Sequence, residues 1–413
     1  LNEPSHHPAK EIWGSKSRHL AHVKVAVGLS ASVAIYRTVD VARELIRRGA
    51  TIYPVMTEEA AELLSPTLME WATGSRTYVR FAGETGHIGI GEEASGMLIA
   101  PATANIIGKL ASSIADNAVT LTALDIMGKG KPLILVPAMH SGLWSSGPLQ
   151  EAITKLENYG AVVIPPRMEE GKAKYPNTED IVDAVDALST RGQDLKGLKV
   201  VVTAGPTREW LDPVRYISNP STGRMGIALA REAYFRGASV TLIHGPTAEP
   251  LPHYIKTVRV ETAEEMLNAV LQEARQMKPD AVIMAAAPAD FRPEETQETK
   301  IESGKELTLK LIPTPKIAST LRNEYEGIVI GFAAETILND EERLVSKAKD
   351  KLRKRGFNAI IANEVSYDKV GFATEHSKAY LITEEGEIVR IGKALKIVIA
   401  RKILDYVKEE ASR

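Results

Sequence analysis

The chain contains no cysteine, which excludes disulfides, cysteine–zinc sites and thiol nucleophiles outright. It also lacks a charge excess: 51 Lys and Arg against 53 Asp and Glu leave a formal net charge of -2, no basic footprint for nucleic acid. No apolar run approaches the roughly 18–20 residues that cross a bilayer. The polar opening LNEPSHHPAKEIWGSKSRHL is not a secretory signal. The expectation is a soluble, cytoplasmic protein with neither nucleic-acid nor membrane partners. Finally, neither half has G-x-G-x-x-G after its first strand, and G-x-x-x-x-G-K-[ST] is absent. Ordinary NAD binding and P-loop phosphate binding are therefore disfavoured.

What is present alternates short β-rich runs with helical segments, the signature of parallel, doubly wound α/β sheets with ligands at the carboxyl ends of the strands. At 413 residues two domains are expected. We place them at 1–188 and 198–413, with the polar stretch 189–197 as a linker. Strands are expected at His22–Gly28, Ala50–Thr57, Met97–Ala100 (ended by Pro101), KPLILVPAMH and Ala161–Pro166 in the first half. In the second they are expected at Leu198–Val202, Ser239–Ile243, Ala281–Ala285, Ile328–Phe332 and Ala359–Asn363. Both domains are read as Rossmann-like.

The densest stretch is TAGPTREWLDPVRYISNPSTGRMG, Thr203–Gly226. A strand end, a loop rich in Gly, Ser, Thr and Arg, and a helix start together surround a bound phosphate or carboxylate with N–H and guanidinium groups. MAAAPADFRPEETQETKI leaves another strand through small residues that let a planar base or sugar approach. Asp290 and Lys300 follow. The basic segment KAKDKLRKRGFN, after GFAAET, reads either as a solvated helix face or as charge neutralisation for a triphosphate. In the first half, VGLSASVAIYR places Ser30 and Ser32 where dinucleotide folds carry glycines. Hydroxyls at a helix start suit one terminal phosphate, as in FMN, better than a buried pyrophosphate. A serine-capped turn is the competing reading. His140 follows a predicted strand at the carboxyl edge; it and His87, in GHIGIGEEASG, each taken alone read more often as structural or solvated than as catalytic.

These segments, in this order, resemble the bifunctional coenzyme A biosynthesis family, in which phosphopantothenoylcysteine decarboxylase is fused to phosphopantothenate–cysteine ligase. The resemblance rests on TAGPTREWLDPVRYISNPSTGRMG, AAAPADFRP, GFAAET with the basic helix, and PATANIIGKL with PAMH, and covers nearly the whole chain. It implies a flavodoxin-like first domain binding FMN through Gly28, Ser30, Ala31, Ser32, Thr57, Thr103, Ala104 and Asn105. His87 would act as the catalytic histidine, and His140 would stand where the commoner pattern has Asn. It implies a second domain using CTP with Mg²⁺ or Mn²⁺, metal ligands unknown, to turn 4′-phosphopantothenate into an acyl-cytidylate that cysteine attacks. Asn219, Arg215 and Lys300 would be catalytic. Gly205, Ala286, Ala287, Asp290, Lys300, Pro315, Lys316, Ile317, Ala318, Phe332, Lys351 and Arg355 would contact CTP. The first domain would then decarboxylate 4′-phospho-N-pantothenoylcysteine, forming 4′-phosphopantetheine.

Two departures stand out. The family's lysine-rich run reads Lys300-Ile301-Glu302-Ser303, and the lid that carries a catalytic cysteine in bacterial members reads EEGKAKYPNTEDIV, with Lys172 and Lys174 as candidates for its polar role. The cysteine-free lid, with His140 in place of Asn, looks like the archaeal branch. The family further implies a homo-oligomer, through ligase dimers and decarboxylase trimers or larger. The alternatives are a ligase with a relic flavin domain, and a flavin-domain phosphatase-regulatory binding protein.

Overall fold

The computed structural model describes residues 7–81, 83, 85–304, 306–336, 340–364 and 375–413. The chain divides into two compact units, Leu1–Gly192 and Gln193–Arg413. The stretch expected to link them is shared out. Its first residues finish the helix Thr178–Arg191, and Leu195 is already buried in the second core.

In the first unit β1 (Lys24–Leu29), β2 (Thr51–Met56), β3 (Gly96–Ala102), β4 (Leu133–Pro137) and β5 (Val162–Val163) form a parallel sheet of order β2-β1-β3-β4-β5. This is the flavodoxin-like order, whose ligand crevice lies where the chain reverses direction across the sheet, between β1 and β3. Strand β3 continues past the expected break at Pro101 as far as Ala102, with an irregular register against β4 after Ile99. Helix α1 (Arg37–Arg47) buries Val41, Ala42, Leu45 and Ile46, the 3.6-residue stripe legible in the sequence. Helices α2 (Gly86–Glu93) and α3 (Ala104–Ala111) pack with Met97, Ile99, Leu133 and Leu135 in one core. Helix α4 (Thr178–Arg191) packs on α1 and on β3 and β4.

The second unit is built on β6 (Lys199–Ala204), β7 (Ser239–His244), β8 (Lys256–Arg259), β9 (Ala281–Met284), β10 (Ile328–Glu335), β11 (Ala359–Glu364), β12 (His376–Thr383) and β13 (Ile388–Leu395). Their order is β8-β7-β6-β9-β10-β11-β12-β13. The first six are parallel, in the 3-2-1-4-5-6 order of dinucleotide folds, and the last two are antiparallel. Successive residues feed opposite faces. Val200 and Val202 join a core with α5 (Arg224–Phe235) and α9 (Lys396–Ala411). Val201 joins another with α6 (Ala263–Met277), α7 (Ile317–Arg322) and α8 (Glu341–Arg355). Burial on both faces is why such strands read as unbroken apolar runs. Gly226 permits the close seat of α5, since a Cβ there would stand 2.5 Å from the Ala204 Cβ.

Among the described residues, no helix is long and apolar enough to cross a membrane.

Helix α4 is also held by charge. Arg48, 6% exposed, donates to Asp183 at 2.8 Å and stands 3.5 Å from Asp186, which His19 meets at 2.5 Å. Although burial opposes its charge, the two aspartates raise the guanidinium above the usual arginine range. Removing one partner of such a buried set costs about 3–5 kcal/mol. Arg48→Ala is therefore expected to lower the first unit's thermal transition by roughly 10 °C, followed by circular dichroism. An unchanged transition would show that the set contributes nothing.

Candidate functional sites

At the carboxyl edge of the first sheet, three neighbouring strands each lead into a helix capped by a hydroxyl. Ser32 accepts from Ala34 N–H after β1, Thr57 from Ala60 N–H after β2, and Thr103 from Ile106 N–H after β3. A hydroxyl that accepts from its own helix still has its proton to donate. Three such groups around the β1/β3 divergence fit an anionic phosphate ester. Ala31 and Asn105 are exposed at this edge, and Ala104 opens α3.

Ser30 has a different place. It is buried and donates to the Pro101 carbonyl at 2.8 Å, while Thr103 N–H donates to it at 3.1 Å. It ties the exits of β1 and β3 together. Gly28 faces inward, where a Cβ would lie 2.7 Å from the Met97 side chain, so its small size is explained by packing.

Tyr78 pairs alongside the end of β2, Phe81 packs on Tyr78, and His87 packs on Phe81 with ring centroids 5.4 Å apart. The His87 Nδ1 atom is buried without a hydrogen-bond partner among the described residues. His140 is exposed beyond β4, in a small antiparallel sheet made by Met139–His140, Arg167–Glu169 and Lys172–Lys174. The expected lid segment is thus a hairpin followed by the start of α4. His140 pairs with Lys172, so their side chains share a face, whereas Lys174 is ion-paired with Glu169 and Glu170.

In the second unit the strands diverge at β6/β9, and a cavity of about 410 Å³ opens there. Two hydroxyls of the TAGPT segment build its floor: Thr203 Oγ1 accepts from Ala286 N–H at 3.1 Å and Thr207 Oγ1 from Ala289 N–H at 3.0 Å. Glu209, buried, joins the same set through Thr207 Oγ1 and the first N–H of α6. Asn219 spends its amide donors on the Ala287 and Pro288 carbonyls, at 3.2 and 3.0 Å, which leaves its oxygen as the group it can offer.

The cavity brings together most of the expected nucleotide contacts, Ala286, Ala287, Asp290, the turn Pro315-Lys316-Ile317-Ala318, Phe332, Lys351 and Arg355, and with them Asn219, expected to be catalytic. Lys316 pairs with Asp290 at 2.9 Å and, with burial opposing, holds its carboxylate below the usual range, helped by Arg355 and Lys351. Burial and Arg355 push the Lys351 ammonium down, and its Nζ donates to the Phe332 carbonyl at 3.0 Å.

Three expected residues do not line this cavity. Gly205 lies beneath it in a left-handed conformation (φ +76°), its carbonyl accepting from Ala287 N–H. Arg215 donates to the Ile301 carbonyl at 2.9 Å and pairs with buried Asp212, and Lys300 is the exposed neighbour of Ile301. Burial works against the Asp212 carboxylate, but N–H donors of Val214, Ile301 and Arg215 outweigh it and hold it below the usual range. Conversely, sequence reasoning overlooked Thr336, Asn363, Ser377 and Lys396, all on the cavity wall. The Asn363 Oδ1 atom is buried without a hydrogen-bond partner among the described residues. Among the described residues, no cluster of three or more His, Asp or Glu could hold a metal ion.

Residues 195–411 match the model of the DNA/pantothenate metabolism flavoprotein C-terminal domain, and residues 14–190 match that of the flavoproteins. The chain is 38% identical to the coenzyme A biosynthesis bifunctional protein CoaBC of Thermococcus kodakarensis, over 98% of this chain and 99% of that one. To the CoaBC of Methanocaldococcus jannaschii it is 40% identical, over 98% of each. A solved CoaBC C-terminal domain is 35% identical at a TM-score of 0.45, covering 53% of this chain and 98% of that one. The chain belongs to the CoaBC family of bifunctional coenzyme A biosynthesis proteins.

Proposed function

We propose that the chain makes 4′-phosphopantetheine from 4′-phosphopantothenate and cysteine, one step in each unit. The observation that carries this reading is the β6/β9 cavity, which gathers residues from four separate chain segments expected at one nucleotide. There CTP converts the substrate carboxylate into an acyl-cytidylate and pyrophosphate leaves; the amine of cysteine then forms the amide and expels CMP. Lys316, Lys351 and Arg355 supply positive charge where negative charge accumulates. Mg²⁺ or Mn²⁺ would arrive on the nucleotide phosphates, as is usual for cations that keep much of their own hydration. Arg215 and Lys300 stand outside the cavity of their own chain, so their catalytic roles call for closure of their segment or for a second copy.

In the first unit FMN would be held by Ser32, Thr57 and Thr103, with Ala31, Ala104 and Asn105 at the same edge, and would supply two-electron redox chemistry for decarboxylation of 4′-phospho-N-pantothenoylcysteine. His87 moves a proton and His140 orients the substrate, with Lys172 on the same face in place of the lid cysteine. The family resemblance points to a homo-oligomer in which each site would take one histidine from each of two copies.

Purified protein is expected to show oxidised-flavin absorbance. Ser32→Glu should remove it while leaving the circular dichroism spectrum unchanged; a folded variant that stays yellow would place the phosphate elsewhere. For the ligase, Asn219→Asp should set carboxylate oxygens against two carbonyls. It should reduce CTP-dependent pyrophosphate release and amide formation together, by about tenfold or more. Loss of amide formation alone would mean that Asn219 meets only the acyl-cytidylate. For the shared site, His87→Gln and His140→Asn proteins are each expected to be inactive in CO₂ release and to recover part of it when dissociated and reassembled together. If the mixture is as inactive as its components, both histidines serve one chain's site or neither serves it.

A further inference from the structure

The buried carboxylate of Asp212 is shared between two segments that are distant in the chain. In the turn Asp212-Pro213-Val214-Arg215 its Oδ1 atom accepts from the N–H groups of Val214 and Arg215, both at 2.8 Å. Such a turn needs one side-chain oxygen, and asparagine forms it as well as aspartate does. The other oxygen, Oδ2, accepts from Ile301 N–H at 3.1 Å, 89 residues farther along, and lies 3.4 Å from the Arg215 guanidinium. Arg215 completes the grip by donating to the Ile301 carbonyl at 2.9 Å. One turn therefore holds both backbone polar groups of Ile301, and Lys300 is its exposed neighbour. Two more bonds run alongside. The Trp210 carbonyl accepts from the Thr296 hydroxyl at 3.0 Å, and the Leu211 carbonyl from Gln297 N–H at 2.9 Å. An amide at position 212 would preserve the turn but aim an NH₂ donor at an N–H and a guanidinium. The carboxylate is thus required by the second segment rather than by the turn.

We propose that Asp212 is a positioning residue of the amide-forming reaction, locking Arg215 and Lys300 together so that both cations reach the reacting groups as one unit. The inference rests on the ligase reading, which gives Arg215 and Lys300 their catalytic roles, and adds a residue that acts through them. Neither cation lines the β6/β9 cavity of its own chain. Each has to be brought to a reacting group, by closure of its segment or from a second copy. Brought separately, two long cationic side chains on independent loops would each lose conformational freedom on arrival. Joined through Ile301, the two loops are ordered beforehand, and one movement places both charges. Loss of the link is then felt as loss of both cations, although Asp212 bonds only the backbone of the Lys300 segment.

The test uses the full chain and follows CTP-dependent pyrophosphate release and amide formation, with circular dichroism as a check on folding. Asp212→Asn should keep the wild-type spectrum and lower turnover by about tenfold to a hundredfold. A double-mutant cycle separates positioning from a general structural loss. When Lys300→Gln is already present, adding Asp212→Asn should lower turnover by less than about threefold, since the unit is then already incomplete. A structural defect would instead multiply with Lys300→Gln in full, and that outcome overturns the inference. Hydrogen exchange gives a reading that does not depend on turnover. In the wild type, residues 210–216 and 296–301 should be protected to the same degree. Asp212→Asn should speed exchange in both and leave the floor at Ala286 and Ala289 unchanged. If Asp212→Asn does not fold, wild-type exchange decides alone, and unequal protection of the two segments overturns the inference. Wild-type protein that forms the amide while the two substitutions act independently refutes the inference and leaves the ligase reading intact. Wild-type protein that releases no pyrophosphate from CTP and forms no amide refutes the ligase reading itself.

Discussion

Both units depend on the same constraint, a side-chain hydroxyl that ties two diverging strand exits together. Parallel strands that separate at a switch point leave backbone groups with no ladder partner, and an open crevice there would collapse or flood. In the first unit Ser30 meets the β3 exit through the Pro101 carbonyl and Thr103 N–H. In the second, Thr203 and Thr207 meet the β9 exit through Ala286 and Ala289 N–H. Each hydroxyl satisfies backbone groups that the strand ladder leaves without a partner and ties the two sides of a crevice together. Those crevices are where the ligand-facing groups of both units are assembled.

Around the second crevice, the fixed floor determines what the other side chains can do. The Asn219 amide bonds the carbonyls of the same Ala287–Pro288 segment that Thr203 and Thr207 position, so its oxygen is aimed by the floor rather than by the ligand. Thr314 repeats the device, donating to the Ala289 carbonyl at 2.6 Å and placing the turn that presents Lys316. A site built this way is ordered before substrate enters, which is the condition for electrostatic stabilisation without reorganisation.

The fold was legible wherever burial acted on both faces. Runs such as LKVVV and AVIMA declare central parallel strands because every position is apolar, and α1 declared itself by its stripe. The strands that escaped notice lie at the sheet edges. Strand β8 is half-exposed, and β12 and β13 form an antiparallel hairpin closed by Glu384-Glu385-Gly386 with Gly386 at φ +95°. Polar residues interrupt these edges, so the apolar signal weakens, although the hairpin turn was there to be read. Within the sites, small and hydroxyl residues were found but not their tasks. Ser30 and Ser32 look alike in a string, yet one braces two loops and the other faces the crevice edge. Lys396 had no local signal. It opens an ordinary amphipathic helix some 170 residues after the loop it joins, and only the packing of α9 on α5 brings it to Arg224.

That packing also explains how a nearly neutral chain can hold a strongly polar substrate. The formal charge of -2 is an average over the whole sequence. The cavity wall instead concentrates cations, Lys316, Lys351 and Arg355 around Asp290 and Arg224 with Lys396 apart from them. Exposed cations elsewhere include ones offset by neighbours, as Lys24 is by Glu93 and Arg80 by Glu58. Such surface pairs cost little to make and are screened by salt. Inside the cavity the same charges are desolvated, and the lowered pKa values of Lys351 and Lys396 record the energy of holding them there. A charged ligand that meets them gives back part of that energy on binding. The desolvation cost of gathering cations in one wall thus favours an anionic ligand over a neutral one.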